Sequence, residues 1–241
     1  MNQIPKVIHY IWLGGKPLPK IAKKCIKSWK KYCPDYEIKR WDESNVDLDS
    51  YKYIRDAYDA KKYAFASDCL RFDILNREGG IYLDIDVELI RPIDEFLNNK
   101  MFMCFENDKY VAPGLIIGTT KNNECLEKIL DIYKTSKFDC SDLTKMVTVC
   151  AIATNTLKEY GLIEENKTQE LSCGTIYSSE YFCPKSMSDG KTTITDNTYS
   201  IHHYLGSWST PWIRFKNKCI QLVKRIIGKK SVERIKRKMK K

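Results

Sequence analysis

A chain of 241 residues, of which 43% are hydrophobic and 12% aromatic, can bury one sizeable core, and this excludes a largely disordered protein. The sequence contains no run of about eighteen apolar residues, so we expect no membrane-spanning helix. The formal net charge is +10, but residues 211–241 alone carry +12, which leaves −2 for the rest of the chain. The basic character therefore belongs to the C-terminal tail.

The ten cysteines are scattered along the chain, and no two have the short spacing that is typical of a zinc site. The start of the sequence does not read as a secretory signal. We therefore expect reduced thiols in a cytoplasmic protein.

The first predicted element is a buried parallel strand over residues 4–13, an apolar run that ends at Gly14. His9 lies inside this strand and is expected to be a hydrogen-bonded core histidine. Trp12 comes at the end of the strand, where an aromatic ring either packs in the core or stacks on a nucleotide base.

The next three elements are an amphipathic helix over residues 18–31, a strand over 37–41 and a second helix over 51–63. A strand, a helix and a strand in this order predict an α/β fold.

A further helix is predicted from apolar side chains that recur at helical spacing, at Phe65, Cys69, Phe72 and Leu75. It ends at Gly79-Gly80. Asp68 and Arg71 are three residues apart at the edge of its apolar face, where charges are partly buried. They form either a mutual salt bridge or a clamp for a ligand, because a buried charge needs a partner.

Over residues 81–89 the apolar period changes to two, which predicts a strand with Asp84 and Asp86 on one face. Two carboxylates at this spacing suit one hard cation, and we expect Mn²⁺ or Mg²⁺. Such an ion keeps open positions for phosphates, so the pair indicates a nucleotide-diphosphate site; a solvated strand face is the alternative. Ligands of open α/β sheets bind beyond the carboxyl ends of strands, where both Trp12 and this pair are expected.

These motifs resemble the donor-binding core of glycosyltransferase family 32, the sugar-nucleotide transferases with an Asp-x-Asp motif. The resemblance rests on Ile4-Pro5-Lys6-x-Ile8-His9-x-Ile11-Trp12, Ser67-Asp68-x-x-Arg71 and Gly79-Gly80-x-Tyr82-x-Asp84-x-Asp86. The family includes bacterial capsule and lipopolysaccharide transferases and yeast-type α-mannosyltransferases, and its core is similar to that of clostridial glucosylating toxins. It implies a single GT-A type α/β domain over residues 1–210, with a mixed, mainly parallel, Rossmann-like sheet between helices, followed by a basic tail over 211–241.

The resemblance also implies roles for individual residues. Asp86, with Asp84 beside it, would hold the metal, and Arg71 would act with them in catalysis. The implied donor-binding residues are Trp12 against the base, Asp68, Arg71, Tyr82, Asp84, and Ser207 and Trp208 over the leaving phosphates.

The family's closing motif of a His and a Ser-Trp is matched within residues 199–208. The resemblance implies that His202 or His203 completes the metal site, although residue type alone assigns neither. Adjacent residues on a strand point to opposite sides, so at most one of the two should be a ligand.

The middle of the chain predicts strands over residues 101–105 and 115–118, helices over 123–133 and 142–160, and a polar, irregular segment over 163–198. The loop Glu106-Asn107-Asp108 between the two strands either faces an acceptor sugar or is an ordinary surface turn.

The tail over residues 211–241 alternates apolar and basic residues, with Trp212 and Phe215 near its start. This pattern favours adsorption to an anionic membrane surface over binding to nucleic acid. A solvated, frayed terminus is the other alternative. The resulting expectation is a cytoplasmic protein at the inner face of the cytoplasmic membrane.

The expected activity is metal-dependent transfer, with retention, of a hexose or N-acetylhexosamine from a nucleotide-diphosphate sugar onto a glycan or lipid-linked acceptor in surface polysaccharide synthesis. A UDP-sugar is the favoured donor and GDP-mannose the alternative one. The competing functions are a metal-dependent phosphohydrolase or nucleotidyltransferase, and a noncatalytic module that binds a sugar nucleotide or a membrane.

Overall fold

The computed structural model describes residues 3–139, 141, 147–206, 212 and 220. Its strands are β1 Val7–Ile11, β2 Glu37–Trp41, β3 Gly80–Tyr82, β4 Val87–Leu89, β5 Met101–Cys104, β6 Ile117–Thr119, β7 Gln169–Leu171, β8 Gly174–Tyr177 and β9 Ser200–His202. Its α-helices are α1 Lys20–Tyr32, α2 Lys52–Asp59, α3 Tyr63–Glu78, α4 Glu124–Thr135, α5 Val149–Lys158 and α6 Ser179–Phe182, and a 3₁₀ helix covers Asp94–Asn98.

The central sheet has seven strands in the order β2-β1-β3-β6-β5-β8-β7. Three of its pairings are parallel, namely β1 with β2, β1 with β3, and β5 with β8, and the other three are antiparallel. The expected mixed α/β sheet is confirmed, but the sheet is not mainly parallel. The reason is that β6 runs antiparallel to both of its neighbours, β3 and β5, and that β7 runs antiparallel to β8.

Helices cover both faces of this sheet. On one face, Ile54 of α2, Phe72 of α3 and Ile129 of α4 join one cluster of buried side chains. On the other face, Trp29 of α1 and Phe182 of α6 join a second cluster. The sheet is therefore buried on both sides, as the apolar run of the first strand predicts.

Most predicted elements are present with shifted ends. The first strand is shorter than expected, and the helix expected over residues 51–63 ends at Asp59, before Lys61 adopts a positive φ of 56°. The helix expected over residues 142–160 begins at Val149, because Thr148 caps it by accepting a hydrogen bond from the Ala151 N–H. Residues 142–146 lie outside the described part of the chain.

The strand expected over residues 81–89 is wrong in one respect that matters for the site. β3 ends at Tyr82, and β4 begins at Val87 in a separate two-stranded sheet with β9. The apolar alternation continues through the break because Leu83 and Ile85 stay in the same buried cluster. Asp84 and Asp86 therefore lie in a turn between two strands.

β4 is fixed against helix α1 by two buried hydrogen bonds. The Trp29 indole donates to the Val87 carbonyl at 2.8 Å, and the Leu89 N–H donates to the Ser28 hydroxyl at 3.0 Å. The end of the aspartate-bearing turn that leads into β4 is thus held against α1.

Three further expectations bear on the described residues. None of their helices is long and apolar enough to cross a membrane. The eight cysteines of the described residues are free thiols, and Cys69 of helix α3 packs in the hydrophobic core. The expected domain boundary between residues 210 and 211 falls outside them and stays a prediction.

His9 is the hydrogen-bonded core histidine that the sequence predicts. Its Nε2 lies 2.9 Å from the Gly79 carbonyl, and its Nδ1 accepts from the Trp41 indole at 3.0 Å. An Nδ1 that accepts leaves the proton on Nε2, so the ring is neutral. Burial lowers the pKa of His9 from 6.5 to about 4, although the bond to Gly79 opposes this shift.

We predict that His9 makes the fold acid-sensitive. Between pH 6.5 and 4 the unfolded chain binds a proton that the native ring excludes, so stability falls as the pH falls, by about 3 kcal/mol. Urea unfolding of the protein and of His9→Gln between pH 7 and pH 4 measures this difference. The variant should be less stable at pH 7 and lose less stability on acidification; parallel losses would contradict the prediction.

Candidate functional site

The two aspartates lie in the turn between β3 and β4, at the carboxyl edge of the sheet. The Asp84 N–H donates to the Gly114 carbonyl at 3.1 Å, and the Val87 N–H donates to the Asp84 carbonyl at 3.0 Å. This turn brings the two side chains together with His202, so that one ligand atom of each lies within 4.8 Å of the others. Asp84 and Asp86 therefore lie close together, as the sequence predicts, but they do so in a turn and not on the face of a strand.

His202 arrives from the C-terminal part of the chain by strand pairing. In the β4–β9 ladder Val87 is opposite His202, and this places the imidazole Nε2 3.2 Å from Asp86 Oδ1. The Leu205 N–H also donates to Asp86 Oδ2. Burial raises the pKa of Asp86, but His202 and this N–H outweigh it and hold the pKa below its usual value. Asp86 is therefore ionised at neutral pH.

His203 points the other way, as alternation along a strand requires. Its Nε2 lies 2.7 Å from Glu88 Oε2, and Lys24 contacts the same oxygen at 2.7 Å. The geometry brings His202, and not His203, to the aspartates. Metal binding by either histidine stays a prediction.

Arg71 of helix α3 is almost fully buried, with 3% of its surface exposed. Its guanidinium lies 2.7 Å from Asp68 Oδ1, 3.5 Å from Asp84 Oδ1 and 4.8 Å from the centre of the Tyr82 ring. The salt bridge that the sequence allowed is present, and it extends to the Asp-x-Asp turn. Burial raises the pKa of Asp68 to about 7, even though Arg71 lowers it.

Tyr82 and Gly114 fix the Asp84 carboxylate from two sides. The Tyr82 hydroxyl donates to Oδ1 at 2.8 Å. A Cβ on Gly114 would lie only 2.2 Å from Oδ2, so a residue with a side chain there would displace the carboxylate. The sequence alone does not reveal this role of Gly114, because Pro113-Gly114 marks a turn without indicating what the turn approaches.

Trp12 directly follows β1, at the edge of the sheet where the aspartates lie. Its backbone N–H donates to the Trp41 carbonyl at 2.9 Å, its indole donates to the Lys16 carbonyl, and its ring is partly exposed. β1 and β3 run parallel, and the Leu83 N–H donates to the His9 carbonyl at 3.1 Å, so both ends meet at one edge. Ser207 and Trp208 lie outside the described residues, and their roles stay predictions.

The donor set of Asp84, Asp86 and His202 fits a divalent cation. Carboxylate oxygens with one imidazole suit Mn²⁺ and Mg²⁺. In addition, His202 Nδ1 is buried and has no hydrogen-bond partner among the described residues, which is unusual for a buried polar atom. These residues are able to hold the ion that the sequence predicts.

A mixed sheet with an Asp-x-Asp turn at its carboxyl edge is the arrangement of a GT-A glycosyltransferase. Residues 19–103 match the family model described as "Glycosyltransferase sugar-binding region containing DXD motif". The chain thus carries the sugar-binding region of the DXD glycosyltransferases, and the resemblance seen in the sequence is confirmed.

Relatives of known class agree with this match. The chain is 26% identical over 220 residues to an uncharacterized glycosyltransferase of Acanthamoeba polyphaga mimivirus. The aligned region covers 86% of this chain and 84% of the viral protein. It is 24% identical to inositol phosphoceramide mannosyltransferase 1 of Schizosaccharomyces pombe over 62% of this chain, but spans only about half, 48%, of that protein.

The fold has a counterpart of known structure, the PaToxG glycosyltransferase. The two superpose with a TM-score of 0.52 and 23% sequence identity, over 65% of this chain and 70% of the other. The family match over residues 19–103 and this likeness in fold both agree with the glycosyltransferase class.

We predict that Gly114 sets the position of the Asp84 carboxylate. Gly114→Ala should weaken Mn²⁺ binding about tenfold or more, because the new methyl group displaces a ligand oxygen. Gly118→Ala is the matched control, since its Cβ would lie 2.0 Å from the Phe102 ring and disturb the core without touching the aspartates. Mn²⁺ titration of the folded variants, checked by circular dichroism, measures the difference. Equal Mn²⁺ affinities of the two variants would refute the assignment.

Proposed function

We propose that this protein transfers a hexose or N-acetylhexosamine from a nucleotide-diphosphate sugar to a hydroxyl group of a glycan or lipid-linked acceptor. The observation that carries the proposal is the convergence of Asp84, Asp86 and His202 beside the buried Arg71. Two carboxylates and an imidazole next to a fixed cationic side chain form an environment suited to a diphosphate.

In this proposal Asp86, Asp84 and His202 hold Mn²⁺ or Mg²⁺. When bound, the ion neutralises the charge that develops on the departing diphosphate. His202 keeps Asp86 ionised, and Tyr82 and Arg71 orient Asp84 Oδ1. The protein's contribution is thus a set of ligands that is in place before the donor binds.

Arg71 and Asp68 are proposed to bind the sugar and its hydroxyl groups, and Trp12 to stack on the base. Arg71 is held by Asp68 and packed over Tyr82, so its guanidinium has little freedom to move. Trp12 is anchored through its backbone and its indole N–H, while part of its ring stays exposed for stacking. From the family resemblance, Ser207 and Trp208 would cover the leaving phosphates.

Retention at the anomeric carbon is proposed from the family resemblance. It corresponds to a front-face reaction in which the acceptor hydroxyl attacks beside the leaving phosphate. We favour a UDP-sugar as donor, with GDP-mannose as the alternative that the relatedness to mannosyltransferases supports. Surface polysaccharide synthesis is the proposed context.

The decisive test is calorimetric titration with UDP and with GDP, each with and without Mn²⁺. We expect one nucleotide to bind only with the metal, and we expect Asp86→Ala and His202→Ala each to weaken that binding by about tenfold or more. His203→Ala is the control, because His203 pairs with Glu88 and not with the aspartates. If neither nucleotide binds the unaltered protein with Mn²⁺, the proposal fails; if His203→Ala has the larger effect, His202 is the wrong ligand.

We also propose that the tail over residues 211–241 adsorbs to an anionic membrane, which would bring the enzyme to a lipid-linked acceptor at the inner face of the cytoplasmic membrane. Its net charge of +12 supports this, at about 1 kcal/mol for each basic residue near the surface. Co-sedimentation with vesicles should show binding of the full chain to phosphatidylglycerol-containing vesicles and not to pure phosphatidylcholine. Equal binding to both lipids, or to neither, would rule it out.

A further inference from the structure

A cavity of about 500 Å³ lies beside the site, and none of the proposed donor and metal residues that the structure describes lines it. Its volume is within the range of about 300–1,000 Å³ that is usual for small-molecule sites. One wall comes from the β5–β6 loop, residues 105–116, through Glu106 and Asn107. The other walls come from residues 179–195, and they include Ser179, Lys185, Ser186 and Thr193.

Residues 202–205 do not line the cavity, but they connect it to the metal site through contacts with two lining residues, Cys183 and Lys185. The Tyr204 ring lies 4.3 Å from the His202 ring, and the Tyr204 hydroxyl lies 3.0 Å from the Sγ of Cys183, which lines the cavity. Lys185 of the cavity donates to the His203 carbonyl at 3.2 Å. A ligand in the cavity would therefore lie next to the place where a donor sugar is held.

The β5–β6 loop connects the same two places. At one end, Glu106 lines the cavity; at the other, Gly114 packs against the Asp84 carboxylate. The loop is held as a short hairpin, since the Glu106 N–H donates to the Tyr110 carbonyl at 2.8 Å and the Ala112 N–H to the Cys104 carbonyl at 3.1 Å. Glu106 is therefore presented from a fixed backbone.

Glu106 is the carboxylate in this cavity that is suited to a ligand. Among the described residues it forms no salt bridge with a lysine or arginine, and its neighbours are the Tyr204 hydroxyl and the His202 ring. Glu180, the other acid in the wall, already accepts hydrogen bonds from Thr195 and Asn197. Six of the ten other lining residues carry a hydroxyl or side-chain amide group, which can bind the hydroxyl groups of a sugar. Cys183, Pro184, Lys185 and Met187 complete the lining, and their apolar parts can pack against the faces of a sugar ring.

We propose that this cavity binds the acceptor as a neutral sugar unit and that the Glu106 carboxylate accepts a hydrogen bond from one of its hydroxyl groups. The inference rests on the proposed transferase function and assigns it a second, separate binding site. It also gives a role to the Glu106-Asn107-Asp108 loop, whose sequence alone left an acceptor contact and a surface turn open.

The test uses Glu106→Gln, which keeps the shape of the side chain and removes its charge. Release of nucleotide from the donor sugar, chosen by the titrations above, is followed with Mn²⁺ and a panel of methyl α-glycosides of mannose, glucose and galactose. The variant should raise the acceptor KM by about tenfold or more, because a hydrogen bond to a charged group is lost. Its Mn²⁺-dependent affinity for the nucleotide should stay within about twofold of the unaltered protein, since Glu106 is not one of the three proposed metal ligands.

Two further variants make the result specific. Asp108→Asn removes an exposed carboxylate from the same loop outside the cavity, and it should leave the acceptor KM unchanged. Thr193→Trp fills the cavity from an exposed position of the other wall, and it should raise the acceptor KM as Glu106→Gln does. Thermal unfolding confirms that each variant is folded.

The possible outcomes separate this inference from the function on which it rests. If the unaltered protein binds no nucleotide with Mn²⁺, the transferase proposal itself fails. If it binds nucleotide but no glycoside stimulates nucleotide release, or if Glu106→Gln keeps the normal acceptor KM, the cavity is not the sugar acceptor site. If Glu106→Gln loses nucleotide affinity as Asp86→Ala does, Glu106 belongs to the donor site and the inference is overturned.

Discussion

The hydrogen bonds to the Asp86 side chain hold two distant parts of the chain together. His202 and the Leu205 N–H both contact this carboxylate, across a separation of 119 residues in the second case, and the His203 N–H donates to the Asp86 carbonyl at 2.9 Å. The carboxylate is buried, so it needs these partners to stay ionised. Strand β9 and the residues that follow it to Leu205 therefore help to form the arrangement around the aspartates.

Arg71 ties helix α3 to the same turn. Removing one partner of a buried guanidinium lowers the stability of a protein by about 3–5 kcal/mol. Asp68 and Asp84 therefore stabilise the fold, in addition to any role in binding a ligand. This double role explains why the two readings of Asp68 and Arg71, a salt bridge or a ligand clamp, do not exclude each other.

Local spacing in the sequence singled out side chains that the structure brings together, although spacing alone left their roles open. Helical spacing identified Asp68 and Arg71 as a pair, and the Asp-x-Asp spacing identified Asp84 and Asp86 as a second pair. Both pairs are visible in the sequence because their members are only two or three residues apart. The strand expected over residues 81–89 failed because burial, not strand pairing, produces the alternation: Leu83 and Ile85 stay in one core cluster while the backbone changes sheets. The choice between His202 and His203 needed the register of β4 with β9, which is a long-range pairing.

Gly114 and Glu106 show the limit of sequence reasoning most clearly. Neither has a chemical partner nearby in the chain, and each gains its place from the hairpin between β5 and β6. That hairpin contacts Asp84 at one end and the cavity at the other, so a shift of its backbone would move both surfaces together. If the cavity holds the acceptor as proposed, the spacing between donor and acceptor is set by this one loop. Variation in residues 179–195 could then change the acceptor without disturbing the aspartates.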